Sequence, residues 1–68
     1  LERRQEAAIA QYRRIIDEAV DIGFEEVEAS ARTSLGIALV HSGRLDEARE
    51  QFVGVLIIRP ESKYLSSK

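Results

Sequence analysis

The apolar residues of this chain recur with helical spacing in three segments, and Gly23 and Gly43 separate the segments. Steps of three and four residues place each apolar set on one side of a helix. We therefore predict an all-α chain with helices at about 2–21, 25–42 and 45–58. The predicted core positions are Ala8, Tyr12, Ile15, Ile16 and Ala19, then Val27, Ala31, Leu35, Ala38 and Leu39, then Leu45, Ala48, Phe52, Val55 and Leu56.

The predicted helix ends carry residues that are typical of helix ends. Gly23 and Gly43 can adopt the left-handed conformation that stops a helix, and Pro60 cannot continue one. Acidic residues occupy the first turns of the second and third helices, where their negative charge interacts favourably with the positive end of the helix dipole. After Pro60, residues 61–66 could start a short fourth helix.

The uncharged run 53–58, VGVLII, is ambiguous. Its β-branched residues favour a strand when the run is taken alone, but continuity with the pattern from Leu45 favours a helix. A helix that is apolar on every side needs a cover. We therefore predict that Val53, Ile57 and Ile58 form a contact surface, through which the chain could self-associate into a homo-oligomer.

The chain matches itself when it is offset by 40 residues. The matched pairs are Ala8 with Ala48, Gln11 with Gln51, Tyr12 with Phe52, Ile15 with Val55, and Ile16 with Leu56. Self-similarity of this kind is the signature of a stacked helical array. The first and third helices are therefore predicted to be the same structural part used twice.

On these residues the chain resembles the tetratricopeptide repeat family, whose pattern sets Leu-Gly, a small residue, an aromatic residue and a proline at fixed intervals. The resemblance implies antiparallel helix hairpins of an α-solenoid, with Gly36 and Ala48 at the helix crossing, in one module over residues 1–68 cut from a longer array. The residues that carry it are Leu35, Gly36, Leu39, Gly43, Leu45, Ala48, Phe52 and Pro60, with Ala8 and Tyr12 in the preceding half unit.

The chain also departs from the family pattern. Arg32, Leu39 and Val55 stand where the family often has Trp, Tyr and Ala. The period of 40 residues exceeds the standard 34 by six. We expect all six extra residues in the end of the first helix, the connection and the start of the second helix.

The resemblance implies that the second helix lines a concave groove for a peptide or helix of another protein. Thr33 and Ile37 stand where carboxylate-clamping members have Lys and Asn, so we expect a groove of hydroxyl and apolar groups. The alternative is that Ile37 and Val40 only pack against a neighbouring helix. The groove positions carried over are Ser30, Thr33, Ser34, Ile37, Val40 and His41.

Charge and composition narrow the function further. The net charge is -2, and only Arg32 is formally charged within residues 29–43, so we expect that segment to be the most buried helix. A helix-turn-helix reading fails because the third helix would present Asp46 and Glu47 to phosphate. The chain has no Cys, no membrane-length apolar run and no signal peptide, and a cytoplasmic setting is the default.

Catalytic chemistry has few candidates in this sequence. The single histidine, His41, lies near a helix end, which is typical of an exposed residue rather than a catalytic one. Glu25, Glu26 and Glu28 could suggest a cation site, but a solvated helix start explains them as well. We expect a non-enzymatic protein with no cofactor, no metal and no nucleic-acid partner.

Overall fold

The structure, a computed structural model, describes residues 2–58 in three helices: α1 (Glu2–Ile22), α2 (Glu25–His41) and α3 (Leu45–Ile58). The all-α prediction is confirmed, and each helix end lies within one residue of the predicted position. The ambiguous run 53–58 is helical throughout. Pro60 and the predicted fourth helix start at 61–66 lie outside the described residues.

The two connections between the helices have the same backbone geometry. Gly23 and Gly43 have φ angles of 73° and 76°, a left-handed conformation that glycine adopts without strain. In both connections the glycine N–H and the next N–H donate back to carbonyls of the preceding helix. The bonds are Gly23 to Val20 (3.2 Å) and Phe24 to Ala19 (2.9 Å), then Gly43 to Val40 (3.0 Å) and Arg44 to Leu39 (2.9 Å).

Phe24 and Arg44, which follow the two glycines, also begin the next helices. The carbonyl of Phe24 accepts a hydrogen bond from Glu28 N–H at 3.0 Å, and that of Arg44 accepts one from Ala48 N–H at 3.1 Å. The first connection is therefore no longer than the second. The helices themselves differ in length, since α1 has 21 residues and α2 has 17.

α2 lies between α1 and α3 and packs against both. The molecule measures 36 × 28 × 16 Å. α2 is the central helix, and side chains from α1 and α3 also meet each other, since Arg13 lies 3.3 Å from Glu47. The buried residues are Ile9, Ile16 and Ala19 of α1, Ala29, Ala31, Leu35, Gly36 and Leu39 of α2, and Ala48 of α3.

The charge-poor segment is the most buried helix, as predicted, because α2 alone has a neighbour on two sides. α3 packs only on α2, and its core prediction is therefore wrong at three positions. Leu45, Phe52 and Leu56 are 62%, 37% and 44% exposed. Val27, in the first turn of α2, is also 37% exposed.

Ile9 of α1 is only 3% exposed and belongs to the core, although the predicted stripe omitted it. It lies seven residues before the buried Ile16, so both side chains share one face of α1. That spacing was readable from the sequence. Ala8 and Tyr12, which the stripe included, are half-buried. Within residues 2–58, no helix is long and apolar enough to cross a membrane.

Candidate functional site

The six residues predicted to line a groove share the edge of α2 that neither neighbouring helix covers. Ile37 and Val40 are 49% and 43% exposed, so they do not simply pack against α1 or α3. Ser34 is half-buried and borders the contact with α1. The other three members of the set are exposed, namely Ser30, Thr33 and His41.

Beside this edge lies an open cleft of about 310 Å³ between α1 and the first half of α2. Its lining is mainly apolar, with Tyr12 and Ile15 from α1, Phe24 from the connection and Val27 from the first turn of α2. Two of the predicted groove residues contribute hydroxyl groups to it. The lining residues are Tyr12, Ile15, Phe24, Glu26, Val27, Ser30, Ala31 and Ser34.

Phe24 is the lining residue that sequence analysis missed. It lies in the connection and not in a helix, so helical periodicity could not assign it to the buried face of any helix. Its ring is nevertheless 49% exposed, a large apolar surface at the mouth of the cleft. An aromatic residue directly after a helix-ending glycine was the available signal, since that position commonly contacts the preceding helix.

The remaining groove residues do not enter the cleft. The Thr33 hydroxyl donates to the Ala29 carbonyl of its own helix at 2.9 Å. His41, at the end of α2, lines a separate hollow with Gln5 and Arg44. The predicted set therefore forms a continuous face of α2. Of its six residues, only Ser30 and Ser34 line the cleft.

Arg32 joins α2 to α3 at the position where the family often has Trp. Its Nε donates to Glu28 Oε2 at 3.0 Å, and its Nη1 donates to Gln51 Oε1 at 2.9 Å. Its aliphatic chain lies against Gly54, where an added Cβ would come within 3.3 Å of Arg32 Cδ. The long side chain thus covers the helix contact with its stem while its charged end is paired.

Gly36 faces the ring of Phe52, as the pairing of a small with a large residue at the helix crossing predicts. A Cβ built on Gly36 would lie 2.5 Å from Phe52 Cε1 and 2.7 Å from Cζ. The three atoms nearest to that position all belong to the aromatic ring, and Ala48 is buried in the same core at 2% exposure.

A chain of ion pairs connects the start of α3 to α1. Arg44 donates through Nε and Nη2 to both carboxylate oxygens of Glu47, at 2.7 and 2.9 Å. Arg44 also lies 3.3 Å from Glu6, and Glu47 lies 3.3 Å from Arg13. The hydrogen bonds from Arg44 hold the pKa of Glu47 below its ordinary value, and those to Glu47 raise the pKa of Arg44.

α3 carries a second exposed apolar surface, which runs from the edge of its contact with α2, where the Phe52 ring packs on Gly36, to its outer side. Val53 and Ile57 are 47% and 74% exposed, but Ile58 is half-buried and does not belong to this surface. Ile58 follows Gln51 by seven residues, and because Gln51 accepts a hydrogen bond from Arg32 of α2, helical spacing turns Ile58 toward α2 as well. We name the exposed set the α3 strip, and its members are Leu45, Phe52, Val53, Leu56 and Ile57.

Within residues 2–58, no group of three or more carboxylate or imidazole side chains is placed to hold a metal ion. In the same range every buried side-chain nitrogen or oxygen has a hydrogen-bond partner. Comparisons with protein-family models, with curated proteins and with solved structures each gave no match to this chain.

Proposed function

We propose that this chain is a non-enzymatic protein-binding module, a tetratricopeptide-like helical repeat that receives a peptide or helix of a partner protein. The binding surface is the exposed edge of α2 together with the cleft beside it. The observation that carries the proposal is the cleft itself, which combines aromatic and aliphatic walls with the hydroxyl groups of Ser30 and Ser34. Protein-binding sites of this kind pair an apolar centre with a polar rim.

Two features of the fold support the repeat assignment. The connections at Gly23-Phe24 and Gly43-Arg44 are built alike. Tyr12 and Phe52, which match across the 40-residue offset, both lie beside α2, Tyr12 on the core and Phe52 over Gly36. α1 and α3 thus use corresponding residues against the two sides of one central helix, as stacked units of a solenoid do.

The test is a selection from an unbiased peptide library, followed by titration of the selected peptides with the purified chain. Val27→Asn and Ile37→Asn remove apolar contacts without changing charge, and each is expected to weaken binding about tenfold, equivalent to about 1.4 kcal/mol. Val53→Asn is the matched control, because it removes a similarly exposed valine from the α3 strip.

Two results would overturn this function. One is a selection that yields no peptide with saturable binding. The other is binding that stays unchanged in both Val27→Asn and Ile37→Asn. Far-ultraviolet circular dichroism of each variant checks that the helices remain formed.

A second candidate function is self-association through the α3 strip. Five large apolar side chains in this helix of 14 residues are at least 37% exposed. A strip of this kind can pair with the same strip of a second copy about a two-fold axis. The driving force would be removal of apolar surface from water, at about 25 cal/mol per Å².

Sedimentation velocity over a concentration series tests the second candidate. Ile57 is 74% exposed, so Ile57→Glu leaves the fold intact while placing a charge in the centre of a dimer contact. We expect it to shift the chain from dimer to monomer. A wild-type chain that stays monomeric at the highest concentration would contradict self-association and leave the cleft proposal unaffected.

A further inference from the structure

The end of the molecule around the cleft is strongly acidic. Residues 15–31 contain six carboxylates and no Lys, Arg or His. Glu28 forms an ion pair with Arg32 at 3.0 Å, and Glu26 also has an interaction partner. The basic residues of the described chain lie outside this segment. The acidic residues are Asp17, Glu18, Asp21, Glu25, Glu26 and Glu28.

One of these carboxylates lines the cleft, and a second shares a helix face with a residue that lines it. Glu26 lines the cleft directly. Glu18 lies three residues after Ile15 and four before Ile22, so it shares the face of α1 that carries them. Ile22 is 73% exposed at the end of that face. The site thus combines an apolar floor with negative charge at its rim.

The cleft has room for one large side chain of a partner helix. At about 310 Å³ the cleft is at the lower end of the range of about 300–1,000 Å³ for ligand sites, and it is open on one side. A second exposed apolar side chain on α2 is Ile37, ten residues after Val27 and therefore about 15 Å farther along the helix axis. A partner helix with an apolar stripe can reach both points.

We propose, on the basis of the proposed function, that the cleft binds a basic amphipathic helix. One large apolar side chain of that helix enters between Tyr12 and Val27, and a second packs on Ile37. Its Lys or Arg residues lie over the carboxylates that surround the cleft. Acidic peptides, nucleic acids and anionic lipid surfaces are all repelled by the same charges.

The probes are three synthetic helical peptides with leucines at the same positions and with Lys, Gln or Glu at the polar positions. Each is titrated by fluorescence anisotropy with the full chain at low and at moderate salt. We expect the Lys peptide to bind about tenfold more tightly than the Gln peptide at low salt, and the Glu peptide most weakly. Salt should reduce the advantage of the Lys peptide, because it screens exposed charges.

The double variant Glu18→Gln/Glu26→Gln tests the carboxylates at the rim. It should weaken the Lys peptide about fivefold and leave the Gln peptide unchanged. Asp46→Asn/Glu50→Gln is the matched control, since it removes one carboxylate from a first helical turn and one from the same helix farther along, both on α3. We expect the control to bind all three peptides like the wild type.

The outcomes separate this inference from the function on which it rests. Equal affinities for the Lys and Gln peptides, or equal losses in the double variant and its control, would overturn the basic partner. If the Gln peptide still binds and Val27→Asn weakens it, the proposed function stands without the basic partner. If none of the three peptides binds and the library selection also yields no binding peptide, the basic partner and the proposed function are both overturned.

Discussion

Gly36 is the residue at which a single added carbon has the clearest consequence. The Phe52 ring occupies the space that a Cβ would take, at 2.5 Å for the nearest carbon. The ring would have to move off α2 and lose part of its burial. The small residue at this position is therefore required by a contact between helices and not by the conformation of α2.

We expect Gly36→Ala to lower the free energy of unfolding by about 1 kcal/mol. Displacing the ring costs about 1–3 kcal/mol, and the gain in helix propensity of about 1 kcal/mol offsets only part of it. Gly54→Ala is the control, because its Cβ would meet only the flexible Arg32 chain at 3.3 Å. It should be neutral or stabilising by up to about 1 kcal/mol.

Chemical denaturation measures the free energy of unfolding of both variants. Gly36→Ala is also measured in a Phe52→Ala background, which completes a double-mutant cycle. With the ring absent, Gly36→Ala should become stabilising, because only the propensity gain remains. Equal stabilisation by Gly36→Ala and Gly54→Ala in the wild-type background would contradict the contact.

Glu47 gives the chain a dependence on pH with a defined sign. Its hydrogen bonds from Arg44 lower its pKa from 4.5 in the folded state. A carboxylate with a depressed folded pKa contributes stability above its unfolded pKa, and this contribution is lost as the pH falls through the folded value. The stability gap, which is the difference in free energy of unfolding between wild type and Glu47→Gln, should therefore be largest at neutral pH.

The same gap should close as the pH falls below 4.5, and denaturant melts at a series of pH values would measure it. Glu50→Gln removes the same charge from the exposed side of α3 and serves as the control. A gap for Glu47→Gln that keeps its neutral value in acid would argue against the depressed pKa. Because both partners are partly exposed, high salt should reduce the gap as well.

At the scale of elements, the two connections are the feature that repeats. Gly23 and Gly43 stand 20 residues apart, and each is followed by a residue that ends one helix and begins the next. The chain therefore reverses twice with the same local geometry. That regularity places α1 and α3 on the two sides of α2.

We expect Gly23→Ala and Gly43→Ala to destabilise the chain by similar amounts, about 1–2 kcal/mol each. The reason is that each glycine has a positive φ, at 73° and 76°, which alanine adopts only with strain. Gly43→Asn should cost less than Gly43→Ala, since Asn tolerates this conformation better. Thermal melts suffice for the measurement, and a Gly43→Ala variant with the wild-type midpoint would refute the strain.

At the scale of the whole molecule, α2 is the one helix of the described chain that packs on both of the others. Leu35 and Leu39 of α2 are the two large side chains with 0% exposure in the described chain. They share one core with Ile9 and Ile16 of α1 and Ala48 of α3. The whole fold therefore depends on one face of α2.

Leu39→Ala should cost about 2–5 kcal/mol, the range for truncating a buried leucine. A domain of this size has a total stability of only about 3–5 kcal/mol, so we expect loss of helical circular dichroism near room temperature. Leu56→Ala is the control, because Leu56 is 44% exposed, and should cost about 1 kcal/mol. Similar losses in the two variants would contradict the assignment of the core to α2.

The amino-acid sequence by itself determined the helices and their ends. Helical periodicity and the conformation of Gly23 and Gly43 depend on residues a few positions apart, so the pattern predicted all three helices to within one residue. The burial of the charge-poor segment was also readable, because charges are excluded from the most covered helix. The contact of a small residue, Gly36, with a neighbouring helix followed from the resemblance to the tetratricopeptide pattern.

Only the tertiary structure decided which apolar residues are covered. Leu45, Phe52 and Leu56 have the spacing of a core stripe, yet α3 has one neighbour and leaves them exposed. Phe24 joined the cleft because the connection folds it beside α1 and α2. Helical spacing defines a face, but whether that face meets another helix, a partner or water depends on where residues distant in sequence are placed.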